Sequence, residues 1–295
     1  MEEKEKQKEI LKKVRFIDLK TRKAVNELFG GEYHSVFKGR GMNFSQVREY
    51  SYGDDIRSID WNVTARMRKP FVKVFEEERE LILMLVVDIS ASGMFGSVEN
   101  LKREISAEIA ALLAFSAVKN NDKVGLILFS DKIEKFIPPK KGRSHVFRII
   151  RELLFYKAES KGTSIESALE FLNNIQKKKA ISFVISDFLD SNYEKGLQIV
   201  AKKHDLIAID IFDKREHELP EKGVYEFYDN ESGKRMLVDL SSRQNREAIK
   251  ENVKNRISAR KKLFRKNKVE NISMDINKPY IEPLIGFFRK RKTKR

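Results

Sequence analysis

Five oxygen-bearing residues stand where a small hard cation could use them. Asp88, Ser90 and Ser92 form one D-x-S-x-S run, Thr163 lies in Gly162-Thr163-Ser164, and Asp187 lies in Ser186-Asp187-Phe188. One carboxylate and two hydroxyls at alternate positions put three hard ligands on a single loop. Mg²⁺ suits such a set, because it takes octahedral coordination from few carboxylates, with hydroxyls and waters completing the shell. Taken alone, the run serves a turn or an N-cap equally well, since Asp and Ser side chains bond free backbone N–H groups. Thr163, at a loop-to-helix junction, also suffices as an N-cap. Two apolar strands that each end in Asp, with a Gly-Thr loop between them in sequence, are harder to reduce to turn chemistry.

The elements that must position these residues are legible around them. Leu81-Ile82-Leu83-Met84-Leu85-Val86-Val87 has no polar face and reads as a strand buried on both sides, with Asp88 at its carboxyl end. In open α/β sheets that end is where ligands bind. Residues 99–119 read as an amphipathic, Ala- and Leu-rich helix, and Lys123–Phe129 as a second buried strand. Ile133–Ile137 reads as a short edge strand stopped by Pro138-Pro139. Helices over about 144–157 and 164–178 precede the strand 180–186; helix 193–203 leads into strand Asp205–Ile211. Two strands around the turn Asn230-Glu231-Ser232-Gly233 and a basic helix over 243–266 complete the pattern. Strands alternating with helices predict an α/β fold, a mostly parallel sheet with helices on both faces. Residues 1–80 then form an N-terminal extension, 81–268 the α/β domain and 269–295 a basic tail. Within the extension, residues 1–30 read as a charged helix with too few apolar positions (Ile10, Val14, Ile17, Leu19) for a core of its own.

Composition narrows the chemistry. The chain has 295 residues and no cysteine, which excludes disulfides, thiolate zinc sites and cysteine nucleophiles. Its N-terminus is charged where a signal peptide needs an apolar run, and no stretch approaches the ~20 apolar residues of a membrane helix, so a cytoplasmic location is expected. Lys and Arg number 60 against 44 acidic residues, a net +16. Between Arg243 and Lys268, eleven cations face only Glu247 and Glu251. Such a block attracts nucleic acid, anionic membrane or an acidic protein, or is simply a solvated face.

The set Asp88, Ser90, Ser92, Thr163 and Asp187 resembles the metal-ion-dependent adhesion site of von Willebrand factor type A domains, with every motif position matched. The resemblance implies a von Willebrand A-like, Rossmann-like sheet and a bound Mg²⁺ or Mn²⁺. On that resemblance, Asp88, Ser90 and Ser92 would hold the ion directly or through water, Thr163 would move between direct and water-mediated contact, and Asp187 would join in either way. A partner's acidic residue would take the vacant position. Upstream, Gly39-Arg40-Gly41, Arg48-Glu49-Tyr50 and above all Gly53-Asp54-Asp55-Ile56-Arg57-Ser58-Ile59-Asp60-Trp61 resemble the signature of the domain-of-unknown-function-58 family, a likeness running from about residue 36 to 240. This implies association with a MoxR-type AAA+ ATPase and other von Willebrand A-like proteins, in systems tied to envelope stress, aerotolerance or complex maturation. Many relatives carry N-terminal membrane helices, and none is legible here. The charges around Trp61 read as a satisfied ion-pair network around that residue, or else as a second binding surface or a loop packed beside the metal site.

Competing motifs fail. Gly39-Arg40-Gly41 lacks the third glycine of a dinucleotide fingerprint, no P-loop occurs, and His34, His145, His204 and His217 read as scattered surface residues. No catalytic set is nominated. The expectation is a non-enzymatic, Mg²⁺-dependent interaction module that binds an acidic client, without specific nucleic-acid recognition. The alternatives are nucleic-acid or anionic-membrane binding through the basic C-terminal region, and a metal-dependent hydrolase.

Overall fold

A computed structural model describes residues 43–76, 81–91, 102–214, 223–228 and 235–293, together with Val14, residues 16–19, Thr21 and Val25. The chain divides into two compact units, Phe37–Leu81 and Met1–Val36 with Ile82–Arg295. In the smaller unit, strand β1 (Asn43–Glu49) pairs antiparallel with β2 (Phe71–Glu76), and helix α1 (Trp61–Met67) lies between them in sequence. Asp60 caps α1, accepting from the Asn62 and Val63 amides, and Arg68 ends it in the left-handed region at φ 57°.

The larger unit is built on a six-stranded sheet. Its strands are β3 (Ile82–Asp88), β4 (Lys123–Phe129), β5 (Ile133–Lys140), β6 (Ile181–Ser186) and β7 (Asp205–Phe212). A hairpin of β8 (Val224–Tyr228) and β9 (Arg235–Asp239) stands apart, and β10 (Glu270–Asp275) completes the sheet in the order β10-β7-β6-β3-β4-β5. All neighbours are parallel except the β4–β5 edge pair. Leu83 to Val87 are at most 1 % exposed. At about 1.5–3 kcal/mol for each fully buried aliphatic side chain, β3 anchors the core.

The helices, numbered on from α1, are α2 (Lys102–Lys119), α3 (Arg143–Phe155), α4 (Ile165–Ile175), α5 (Glu194–Lys203), α6 (Arg243–Lys266) and α7 (Ile281–Thr293). On one face of the sheet, α4, α5 and Phe264 of α6 close a core with Met84, Val86, Ile127, Phe129, Val184 and Ala208. Helices α2 and α3 pack together on β3 and β4. The result is an α/β fold with a mostly parallel sheet flanked by helices, in the doubly wound order. The chain leaves β3 toward β4 and leaves β6 toward β7, so the topological switch lies between β3 and β6.

Several local expectations are corrected. β5 runs through Pro138 and Pro139, which an edge strand tolerates because one side of its backbone needs no ladder partner; the register shifts beside them. α2 is not amphipathic: every residue from Ile105 to Ala117 is buried, its alanines permitting close approach on all sides. Residues from 269 onward are not a tail. β10 adds to β7 in parallel and α7 follows, with Leu284 and Phe288 fully buried. The alternating Asn271-Ile272-Ser273-Met274 of β10 is short and half polar, which hid it beside a basic block. His145 and His204 are buried rather than on the surface. His145 Nε2 lies 2.8 Å from the Val124 carbonyl, and His204 Nδ1 accepts from the Ala180 amide at 3.2 Å. Most of the helix expected over residues 1–30, the turn at 230–233, His34 and His217 lie outside the described residues.

Candidate functional site

The switch point between β3 and β6 carries a row of polar side chains. In the parallel register Ser186 pairs with Asp210 and Asp210 with Ser273, and Asp88 falls one position beyond the Val87–Ile185 pair. Parallel strands in register present such residues on one face, and the Ser186 hydroxyl donates to Asp88 Oδ2 at 2.7 Å. Asp88 Oδ1 accepts from the Ser90 amide at 2.9 Å, which turns the chain immediately after the strand. Asp88 and Ser90 are both buried.

The loop carrying Thr163 is tied in from two sides. The Ala91 amide donates to the Lys161 carbonyl at 3.0 Å, and the Ser164 amide to the Ser130 carbonyl at 2.8 Å. Thr163 is therefore held, half-buried, beside the loop that follows β3. It is not the N-cap of α4. That role belongs to Ser164, whose hydroxyl accepts from the Ser167 amide, while the Asp190 carboxylate accepts from the Ile165 amide at 2.8 Å.

Asp187 follows β6 directly. Its Oδ1 accepts from the Leu189 amide at 3.2 Å, and its Oδ2 receives the Lys102 ammonium at 3.0 Å, with both side chains at most 5 % exposed. Its carbonyl accepts from Arg260 Nη1 at 2.7 Å, and the same guanidinium bonds the Asp210 carboxylate. Phe188 takes φ 51°, a left-handed conformation that is rare for a bulky residue. Packing holds it there: its ring meets Phe264 edge-on at 5.3 Å, and the Arg260 guanidinium lies 5.9 Å from its centroid. This strained turn redirects the chain just after Asp187, a cost of about 1–3 kcal/mol that the aromatic cluster offsets.

The electrostatics are set first by the burial of carboxylates. Burial first, and then the neighbouring Asp187 charge, push Asp88 up to about 6, against hydrogen bonds from Ser90 and Ser186 that act the other way. Burial also raises Asp210 to about 6, although Arg260 opposes it. Among the described residues no cluster of three or more His, Cys, Asp or Glu side chains could hold a metal. The donor set at this point is two carboxylates with hydroxyls, all hard oxygen. That chemistry fits a small divalent cation such as Mg²⁺ rather than a transition metal.

Of the residues expected from sequence, Asp88, Ser90 and Asp187 and the loop of Thr163 meet at one end of the sheet. Ser92 lies outside the described residues. Sequence reasoning missed Lys102, Ser186, Asp210 and Arg260. Asp210 was discoverable as the one charge inside the apolar run Leu206–Ile211, whereas Lys102 and Arg260 look like any other helix cation. Some of the charges around Trp61 are paired, while the ring itself is exposed. Arg48 pairs bidentately with Asp54 at 2.8 and 2.6 Å, and Lys73 lies 3.7 Å from Asp60, while Trp61 is 67 % exposed.

Comparison with known proteins gives a family match and several structural likenesses. A profile described as "Protein of unknown function DUF58" matches residues 46–259. The uncharacterized protein Rv1480 of Mycobacterium tuberculosis is 30% identical over 223 residues, covering 75% of this chain and 70% of that protein. Among solved structures, the conserved hypothetical protein BatB from Bacteroides thetaiotaomicron matches with TM-score 0.48 and 15% identity, over 73% of this chain and 100% of that one. The VWA domain of SpRpn10 matches with TM-score 0.37 and 11% identity, over 71% and 95%.

Proposed function

The chain belongs to the DUF58 family, and from that premise we propose that it is a non-enzymatic, divalent-cation-dependent protein-interaction module. One observation carries the reading: two buried carboxylates on adjacent strand ends at the topological switch, one of them, Asp88, pushed up by burial and then by the charge of the other. Asp88, Ser90, Thr163 and Asp187, with Ser92, would hold Mg²⁺ or Mn²⁺. When bound, the ion supplies an electrophilic position open to a carboxylate from another protein. The chain's own residues do the rest. Ser186 and the Ser90 amide orient Asp88, Arg260 fixes the Asp187 backbone, and the hydrogen bonds from Ala91 and Ser164 keep the Thr163 loop in place.

The partner is then an acidic one, and a MoxR-type AAA+ ATPase is the candidate that the family resemblance suggests. The test is binding of such an ATPase to the whole chain in Mg²⁺ and in EDTA, with wild type and Asp88→Ala. The reading expects binding in Mg²⁺ to wild type only. Equal affinity under all four conditions would sink it.

A second reading, contact with an anionic surface, has its own observation. One face of α6 borders a groove of about 480 Å³ where Lys250, Lys254, Lys261, Lys262 and Arg265 flank Val253 and Ile257. Binding through that face falls steeply with salt and ignores Asp88→Ala. Among the described residues no helix is long and apolar enough to cross a membrane.

A further inference from the structure

Lys102 is an unusually buried cation. It lies in α2, and its side chain is 5 % exposed, where an ammonium loses its hydration. Only a buried opposite charge compensates for that placement. Asp187 Oδ2 supplies one at 3.0 Å, on the carboxylate that the cation reading needs. Asp187 also keeps a neutral donor, the Leu189 amide, on its other oxygen, so this carboxylate stays positioned if the ammonium leaves.

We propose that Lys102 is an internal cation that competes with a divalent metal ion for Asp187, so that the site alternates between a lysine-closed and a metal-loaded state. The proposal rests on the cation-site reading above and sharpens it by naming the residue that sets affinity. Two carboxylates balance one dication. With the ammonium retained beside it, an entering dication meets a like charge within a few ångströms at a buried position, where repulsion is strong. The four-carbon lysine stem allows the ammonium to withdraw toward solvent, its methylenes remaining packed. Closed by lysine, the site offers no electrophile. Recognition then depends on divalent ion concentration rather than being permanently switched on.

The test is Mn²⁺ titration of the whole chain, followed by calorimetry and by the Mn²⁺ paramagnetic resonance signal, for wild type, Lys102→Met and Asp88→Ala. Methionine keeps the stem and removes the charge. A like charge at this separation shifts an ionic equilibrium by about tenfold to thousandfold, so Lys102→Met is expected to bind Mn²⁺ at least about tenfold tighter than wild type. Tight binding by Lys102→Met with none detectable in wild type also supports the proposal. If wild type and Lys102→Met bind equally and Asp88→Ala does not bind, competition is overturned while the cation site stands. If none of the three binds, both fall.

A second measurement does not depend on the variant folding. In wild type, acylation of Lys102 by an amine-reactive ester, read by mass spectrometry, is expected to rise when Mn²⁺ is added. No such rise is expected in Asp88→Ala. A Lys102 equally or less reactive with saturating Mn²⁺ overturns the proposal.

Discussion

Asp88→Asn is expected to stabilise the metal-free chain at neutral pH while leaving it unchanged in acid. Asp88 is 9 % exposed, and its carboxyl moves from the ordinary 3.8 to about 6 on folding, through burial and then the nearby Asp187 charge. The folded state therefore binds the proton more tightly than the unfolded chain does. Stability from this group is fully present below 3.8, is lost as pH rises through about 6, and stays lost above it. The deficit at pH 7.5 is about 3 kcal/mol, at 1.36 kcal/mol for each unit. Asparagine removes it without losing geometry. Its carbonyl can accept from the Ser90 amide, and its NH₂ can donate to the Ser186 hydroxyl oxygen, which already accepts from the Phe188 amide at 3.1 Å. Urea unfolding in EDTA should give variant and wild-type stabilities within about 0.5 kcal/mol of each other at pH 4, and the variant ahead by about 3 kcal/mol at pH 7.5. In saturating Mn²⁺ the order should narrow or reverse, since only wild type gains binding energy. A variant no more stable than wild type at pH 7.5 in EDTA, or equally stabilised at both pH values, would refute this account of Asp88.

Three further outcomes are expected. His204, buried with Nδ1 accepting from Ala180, is pushed down to about 4, chiefly by burial; its contribution is complete above 6.5 and disappears as pH falls to 4, so His204→Gln should flatten acid destabilisation by about 3 kcal/mol in urea melts. Arg260→Met leaves Asp210 buried without its cation and should cost about 3–5 kcal/mol, with Asp210→Asn recovering part of it in a double-mutant cycle; strictly additive losses would show that the pair is not coupled. Gly125→Ala places a methyl 2.7 Å from Met84 Sδ and 3.0 Å from Pro139 Cγ, and should cost about 1–3 kcal/mol by thermal denaturation, an effect that Met84→Ala in the same chain should blunt.

The sequence by itself determined the central buried strands and which end of each carries its Asp. An uninterrupted apolar run such as Leu83–Val87 can lie only between two layers, and an Asp that ends such a run must sit at the sheet's rim. The alternation of those runs with helices therefore specified the α/β class. The spacing of Asp88, Ser90, Thr163 and Asp187 nominated one end of the sheet, and the charge of 243–266 marked a helix that the structure bounds at the same residues. Tertiary structure alone decided what surrounds those oxygens. Lys102 lies 85 residues from Asp187, and Arg260 lies 50 residues from Asp210 and 73 from Asp187. Nothing in a helix's own pattern distinguishes a lysine that will be desolvated from one that will face water, because that difference is made by whatever carboxylate the fold brings opposite. β10 escaped notice for the same reason. Six half-polar residues become a strand only when β7 offers a free edge for their backbone, and that edge exists only once the sheet has formed. The D-x-S-x-S loop thus marked a cluster of oxygen-bearing side chains at a strand end, and the fold supplied the lysine that stands beside Asp187.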